Sequence, residues 1–181
     1  MELIDIIDEN NNDLGYYIDR KTAHEQNLWH RHVSCWIMNF KGEVLMQKRS
    51  LTKKKNPGLW SKTGGHVDKG ETPEQAIQRE VYEEVGLKVK EDQIKNIEIF
   101  KSKNINEKYY SYGYIFFTNL NENEFILQKE EVCEVKYFKI EELEQAKKNN
   151  DTSFTFYKWD EEGFNNQMNI LKENRKKLIE N

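Results

Sequence analysis

Apolar and polar residues alternate, cluster and recur along this chain in a way that marks out its elements. The first residues, MELIDIIDENNNDLGYYI, give two short apolar runs around a polar turn at Asp8 to Leu14, which predicts a hairpin. Thr22 to Arg31 shows no period and is rich in His and Trp, so it is expected to be irregular. His32 to Asn39 is almost continuously apolar and predicts a buried strand. Lys41-Gly42 makes a turn, and Glu43 to Lys48 alternates as its partner. Further strands are expected at Ile94–Lys101, Tyr109–Thr118 and Val132–Phe138, with a short helix over Ile140–Lys148. Phe164, Met168, Leu171 and Leu178 recur at helical spacing and predict a C-terminal helix.

The clearest helix lies between Thr72 and Gly86. Thr72 is a good N-cap, Pro73 suits the first helical position, and Gln75 completes a capping box. Ala76, Ile77, Val81 and Val85 form its buried stripe, and Gly86 is the expected stop.

The same helix carries Glu80, Glu83 and Glu84 at i, i+3 and i+4, on one face. Like charges so close cost about a few tenths of a kcal/mol per pair. A solvated Glu-rich face is one explanation. A hard divalent cation is the other, since carboxylate oxygens suit Mg²⁺. Arg79 can reach Glu83 at i+4, and Gly64 and Gly65 precede the helix where backbone can approach a ligand closely.

The full segment GHVDKGETPEQAIQREVYEEVGL decides between these readings. It resembles the Nudix box, G-x5-E-x7-R-E-U-x-E-E-x-G-U with U aliphatic, through Gly65, Glu71, Arg79, Glu80, Val81, Glu83, Glu84, Gly86 and Leu87. The resemblance extends from about residue 22 to 145 and implies an α/β fold. That fold is an α/β/α sandwich with a mixed sheet, in which the box forms a loop-helix-loop. The organisation expected is one domain over residues 1–181: a hairpin (1–21), a Nudix core (22–148) and a C-terminal helix (160–179).

The resemblance implies a pyrophosphohydrolase that cleaves a nucleoside diphosphate linked to another moiety. Mg²⁺, with Mn²⁺ as an alternative, would be held by Glu80 and Glu84 with Glu83 in the same site. Water attacks phosphorus, and a carboxylate must take its proton. Glu83 and Glu131 are the candidates for that base. Arg79 and Glu71 are expected to support the loop-helix geometry. Lys48, Arg49, Gly64 and Gly65 are the candidate substrate contacts, with Arg49 able to clamp a phosphate. Lys53, Lys54 and Lys55 read equally well as a solvated basic patch.

The stretches AHEQNLWHRHVSCWIMNFKGEVLMQKRS and PGLWSKTGGHVDKGE also resemble the isopentenyl-diphosphate isomerases, which share this fold. Those enzymes bind a divalent metal through His and Glu. The matching positions are His24, His30 and His66, with Glu131 or Glu134. This resemblance implies a second metal site suited to Mn²⁺ or Zn²⁺. However, the isomerases carry a catalytic Cys where this chain has Gly64, and they depart from the intact box. Hydrolase is therefore favoured over isomerase and over a non-catalytic nucleotide-binding domain.

Composition narrows the setting. A net charge of −4 gives no footprint for nucleic acid. No apolar run approaches a membrane span of about 20 residues, and acids stand where a signal peptide would be basic. A cytoplasmic location is expected. Cys35 and Cys133, with no CxxC spacing, are expected to be buried free thiols. Trp29, Trp36, Trp60, Tyr110 and Tyr112 can stack on a base or pack in the core. A homodimer built through the N-terminal hairpin is a further expectation.

Overall fold

Most of the periodic segments become the elements they predict. The computed structural model describes residues 2–102 and 107–180. Nine strands are described: β1 (Leu3–Ile7), β2 (Asp13–Asp19), β3 (His30–Asn39), β4 (Val44–Arg49), β5 (Trp60–Ser61), β6 (Thr63–His66), β7 (Lys95–Lys101), β8 (Tyr109–Thr118) and β9 (Val132–Phe138). The helices are α1 (Arg20–Glu25), α2 (Pro73–Val85), α3 (Ile140–Lys148) and α4 (Glu161–Glu180). The result is an α/β fold, a mixed sheet flanked by helices. Its strand order is β5-β4-β3-β8-β7, with β6 on β3 and β9 on β4.

The chain forms two compact units. One comprises Met1–Cys35, Gly64–Tyr82 and Lys88–Ile115. In it β1 and β2 pair antiparallel, and the Asp8 carboxylate closes their turn by accepting from the Asn10 and Asn12 amides at 2.8 Å each. Ile4, Ile6 and Ala23 are buried together, with Ile18 and Leu28 packed against them. β7 and β8 pair antiparallel from Lys95↔Ile115 to Lys101↔Tyr110.

The other unit comprises Trp36–Thr63, Glu83–Leu87 and Phe116–Asn181. Its centre is β4, which pairs antiparallel with β3, β5 and β9. Buried Trp36 donates its indole N–H to Gln167 Oε1 on α4 at 2.8 Å, so its role is in the core.

Three expectations need correction, and two strands had not been anticipated. The segment expected to be irregular holds α1, because Asp19 caps it by accepting from the Thr22 amide at 3.0 Å and the Thr22 hydroxyl at 2.6 Å. Strands β5 and β6 have no alternation to announce them and exist through pairing with β4 and β3. Cys35 is buried but Cys133 is exposed. Lys53 does not belong to a solvated patch: it is half-buried and ion-paired with Glu131.

Candidate active site

Helix α2 forms as its ends dictate. The Gln75 amide donates to Thr72 Oγ1 at 3.3 Å while the Thr72 amide donates to Gln75 Oε1 at 2.9 Å. Ala76, Ile77, Val81 and Val85 are each fully buried. Glu80 and Glu84 lie within the arc of that stripe, so Glu84 is buried with it and Glu80 partly so, while Glu83 at the edge is exposed.

Arg79 organises the start of the site. Its Nε and Nη2 donate to the two oxygens of Glu71 at 2.9 Å each, and its Nη1 to Glu80 Oε1 at 2.9 Å. Nη2 also reaches the His66 carbonyl at 3.0 Å. The Glu71 hydrogen bond, foremost, and the Glu80 charge raise the guanidinium pKa still further. Burial pushes the Glu71 carboxyl up, but Arg79 and the Asp68 amide outweigh it and hold it below its usual range. Arg79 and Glu71 thus form a brace from the loop to the helix.

Gly65 lies against the braced Glu80. A Cβ there would stand 2.2 Å from Glu80 Oε1, so only glycine leaves the carboxylate in place. At Gly64 (φ +156°) a Cβ would stand 2.3 Å from the Val33 carbonyl oxygen and 2.7 Å from Ser34 Cα. Backbone therefore fills the space that a cysteine would need.

Glu84 is 4% exposed and accepts from Gln47 Nε2 at 2.8 Å. Sequence reasoning missed Gln47; its one signal was a polar residue inside the apolar strand β4. The Gln128 amide donates to the Glu84 carbonyl at 3.2 Å and the Ile126 amide to the Val85 carbonyl at 3.2 Å. This ties residues 126–131 to the end of α2. At the far end of that segment Glu131 pairs with Lys53, and the Ser50 amide donates to the Glu131 carbonyl at 2.8 Å. Lys48 faces Glu134 across the strands at 3.5 Å, and Arg49 Nε donates to the Lys55 carbonyl at 3.1 Å.

Three histidines converge from three elements: His24 in α1, His30 opening β3 and His66 ending β6. Each offers a ring nitrogen within 4.8 Å of the others. His24 Nε2 and His66 Nε2 are 2.9 Å apart. His30 Nδ1 lies 3.0 Å from the Leu28 carbonyl, an acceptor, so a neutral ring there keeps its lone pair on Nε2. Burial, then His32, Arg20 and the other histidines, pushes His66 well below its ordinary pKa. A neutral imidazole is the form that ligates metal.

Of the aromatics, Trp29 packs against Tyr110 at 5.8 Å, and Trp60 against Phe138 at 5.3 Å. Tyr110 donates to the Glu9 carbonyl at 3.0 Å, and Tyr112 accepts from Asn11 at 2.7 Å. Trp29, Trp60, Tyr110 and Tyr112 thus have structural partners, as Trp36 does.

Comparison with known proteins fits this geometry. The NUDIX domain family matches residues 28–160. An uncharacterised Nudix hydrolase of Clostridium acetobutylicum is 31% identical over 151 residues, which is 78% of this chain and 72% of that protein. An isopentenyl-diphosphate Δ-isomerase of Corynebacterium diphtheriae is 36% identical over 98 residues, so the chain matches about half of it (52%). Among solved structures, a Deinococcus radiodurans protein superposes with a TM-score of 0.65 at 23% identity, covering 78% of this chain and 86% of that one, a likeness of fold. The family match spans well over half of the sequence and the Clostridium match most of both proteins. The chain therefore belongs to the Nudix hydrolases, enzymes of pyrophosphohydrolase type that act on phosphoanhydride bonds and generally need a divalent metal ion.

Proposed function

We propose that this enzyme is a Mg²⁺-dependent pyrophosphohydrolase, with Mn²⁺ as a substitute. It cleaves a nucleoside diphosphate linked to another moiety, or a related organic diphosphate, by attack of water on phosphorus. The observation that carries this reading is a carboxylate pair prepared on α2. Glu84 is buried and held by Gln47, and Glu80 is held by Arg79 against a glycine that leaves it room. Hard oxygen donors of this kind fit Mg²⁺. Glu80, Glu84 and Glu83 would hold the ion. Bound there, it supplies charge neutralisation for the diphosphate and orientation for water.

The remaining steps belong to the chain. Arg79 fixes Glu80 in one rotamer through a brace that includes Glu71. Glu83 or Glu131 takes the proton from the attacking water, and Lys53 positions Glu131 for it. Lys48 and Arg49, which end β4 opposite Glu134 and Val132 of β9, would contact phosphate oxygens. Substrate charge matters, because a chain of net charge −4 attracts an anion only through local cations.

The three-histidine cluster favours a second reading beside the first, a separate site for Mn²⁺ or Zn²⁺ at His24, His30 and His66. Anomalous scattering at the metal edge near His66 tests it, and a soaked crystal with no peak there rejects it. An isomerase activity is disfavoured by Gly64, where the backbone leaves no room for a cysteine side chain.

The deciding experiment measures phosphate or pyrophosphate release with Mg²⁺ and then Mn²⁺. The panel comprises nucleoside di- and triphosphates, nucleotide sugars, dinucleotide polyphosphates and isopentenyl diphosphate. We expect metal-dependent cleavage of one class, falling by orders of magnitude in Glu84→Gln and Glu83→Gln while both variants stay folded. Glu131→Gln is expected to cost more than Glu134→Gln. Full activity in Glu83→Gln and Glu84→Gln would place the chemistry elsewhere.

A further inference from the structure

Gln47 is an unusual residue for its position. It lies in the middle of β4, between Met46 and Lys48, and is 2% exposed. Its Nε2 donates to Glu84 Oε2 at 2.8 Å and lies 3.5 Å from the Lys62 carbonyl. Its Oε1 is buried and has no hydrogen-bond partner among the described residues. Directly across the strands, on the same face, stands Ser61, whose buried Oγ is in the same condition. A methionine or leucine at position 47 would pack this face without stranding an amide oxygen. A buried polar atom without a partner calls for a reason in the molecule's working state.

The amide's orientation follows from its neighbour. An ionised carboxylate only accepts, so the nitrogen must face Glu84 and the oxygen is turned from it. That oxygen is an acceptor beside a carboxylate read here as a metal ligand.

We infer that Gln47 is a positioning residue for the cation site. Its N–H, held on Glu84 Oε2, fixes the orientation in which that carboxylate is presented. The inference rests on the Mg²⁺-dependent reading above. It assigns to Gln47 a role that acts through Glu84, not on the reacting atoms.

The test is the Mn²⁺ dissociation constant of the full chain, read by electron paramagnetic resonance of free Mn²⁺. The proteins compared are the wild type, Glu84→Gln, Gln47→Met and Gln47→Asn. Melting curves in EDTA check that each variant is folded. Support of an orienting partner for a metal ligand is typically worth about 10–100-fold in affinity. Gln47→Met is expected to bind Mn²⁺ at least tenfold more weakly, with kcat recovering as Mn²⁺ is raised. Gln47→Asn, too short to span the gap, should weaken binding in the same direction and stands in if the Met variant fails to fold. A purely structural Gln47 would shift the melting curve in EDTA and leave Mn²⁺ affinity within twofold of wild type in both variants, which overturns the inference alone. Wild-type protein that binds no Mn²⁺, or Glu84→Gln that binds it normally, overturns the inference together with the functional reading beneath it.

Discussion

Arg79 serves three acceptors at once, Glu71, Glu80 and the His66 carbonyl, and its side chain is 25% exposed. Removing it strands two carboxylates that are themselves half-buried. At this partial exposure solvent takes up some of the loss, so Arg79→Met should destabilise by about 1–3 kcal/mol. The pH dependence has a definite sign. Glu71 is held below its usual pKa in the folded state, so its contribution is full above the ordinary glutamate value of about 4.3 and lost as pH falls through the lowered value. In Glu71→Gln that contribution is absent at every pH. Melting temperatures from pH 7 to pH 3 should show wild type above the variant at neutral pH and the two converging in acid. Parallel curves would mean that the Arg79–Glu71 brace contributes nothing through charge. The brace partners were legible as box residues, but the bidentate pairing spans eight positions of loop and helix and needed the fold to be seen.

At the scale of elements, the end of α2 is where family pattern and packing coincide. Gly86 has φ +72°, and a Cβ there would stand 2.7 Å from Ile126 Cβ and 2.9 Å from its carbonyl oxygen. The residue thus stops the helix and lets residues 126–131, which lead to Glu131, lie against it. Gly86→Ala combines a left-handed backbone penalty with that overlap. About 1–3 kcal/mol of stability should be lost, measured by urea unfolding. Turnover should fall more than a surface change would cause, because the Glu131 segment must shift. A wild-type midpoint and wild-type kcat would show that the segment tolerates displacement. Elements with their own signals were legible: β8, β9 and α3 begin and end where periodicity and turns set them. The short α1 was not, since six residues are too few to show a period. Nor were β5 and β6, whose residues take strand form from their neighbours.

For the whole molecule, metal binding and stability should be linked. A ligand that binds only the folded chain stabilises it by about 2.7 kcal/mol at a hundredfold excess over its Kd. For a chain of this size that is roughly 5–10 °C in Tm. Saturating Mg²⁺ should raise the melting temperature by this order, EDTA should reverse it, and Glu84→Gln should flatten it. A melting curve indifferent to Mg²⁺ would separate this chain from a metal-dependent mechanism.

The sequence by itself determined the fold class, the position and ends of α2, and the three carboxylates that the helix carries at close spacing. The fold class came through the resemblance carried by the box; the helix and its carboxylates depend on capping, periodicity and i, i+3, i+4 spacing, all contained within one short segment. Only the tertiary structure decided what those carboxylates meet. Gln47 finds Glu84 across 37 residues, and Lys53 finds Glu131 across 78. It also exposed Cys133 and filled with backbone the space beside Gly64. Contacts of this kind arise from strand pairing and packing between distant segments, and residue spacing along the chain carries no record of them.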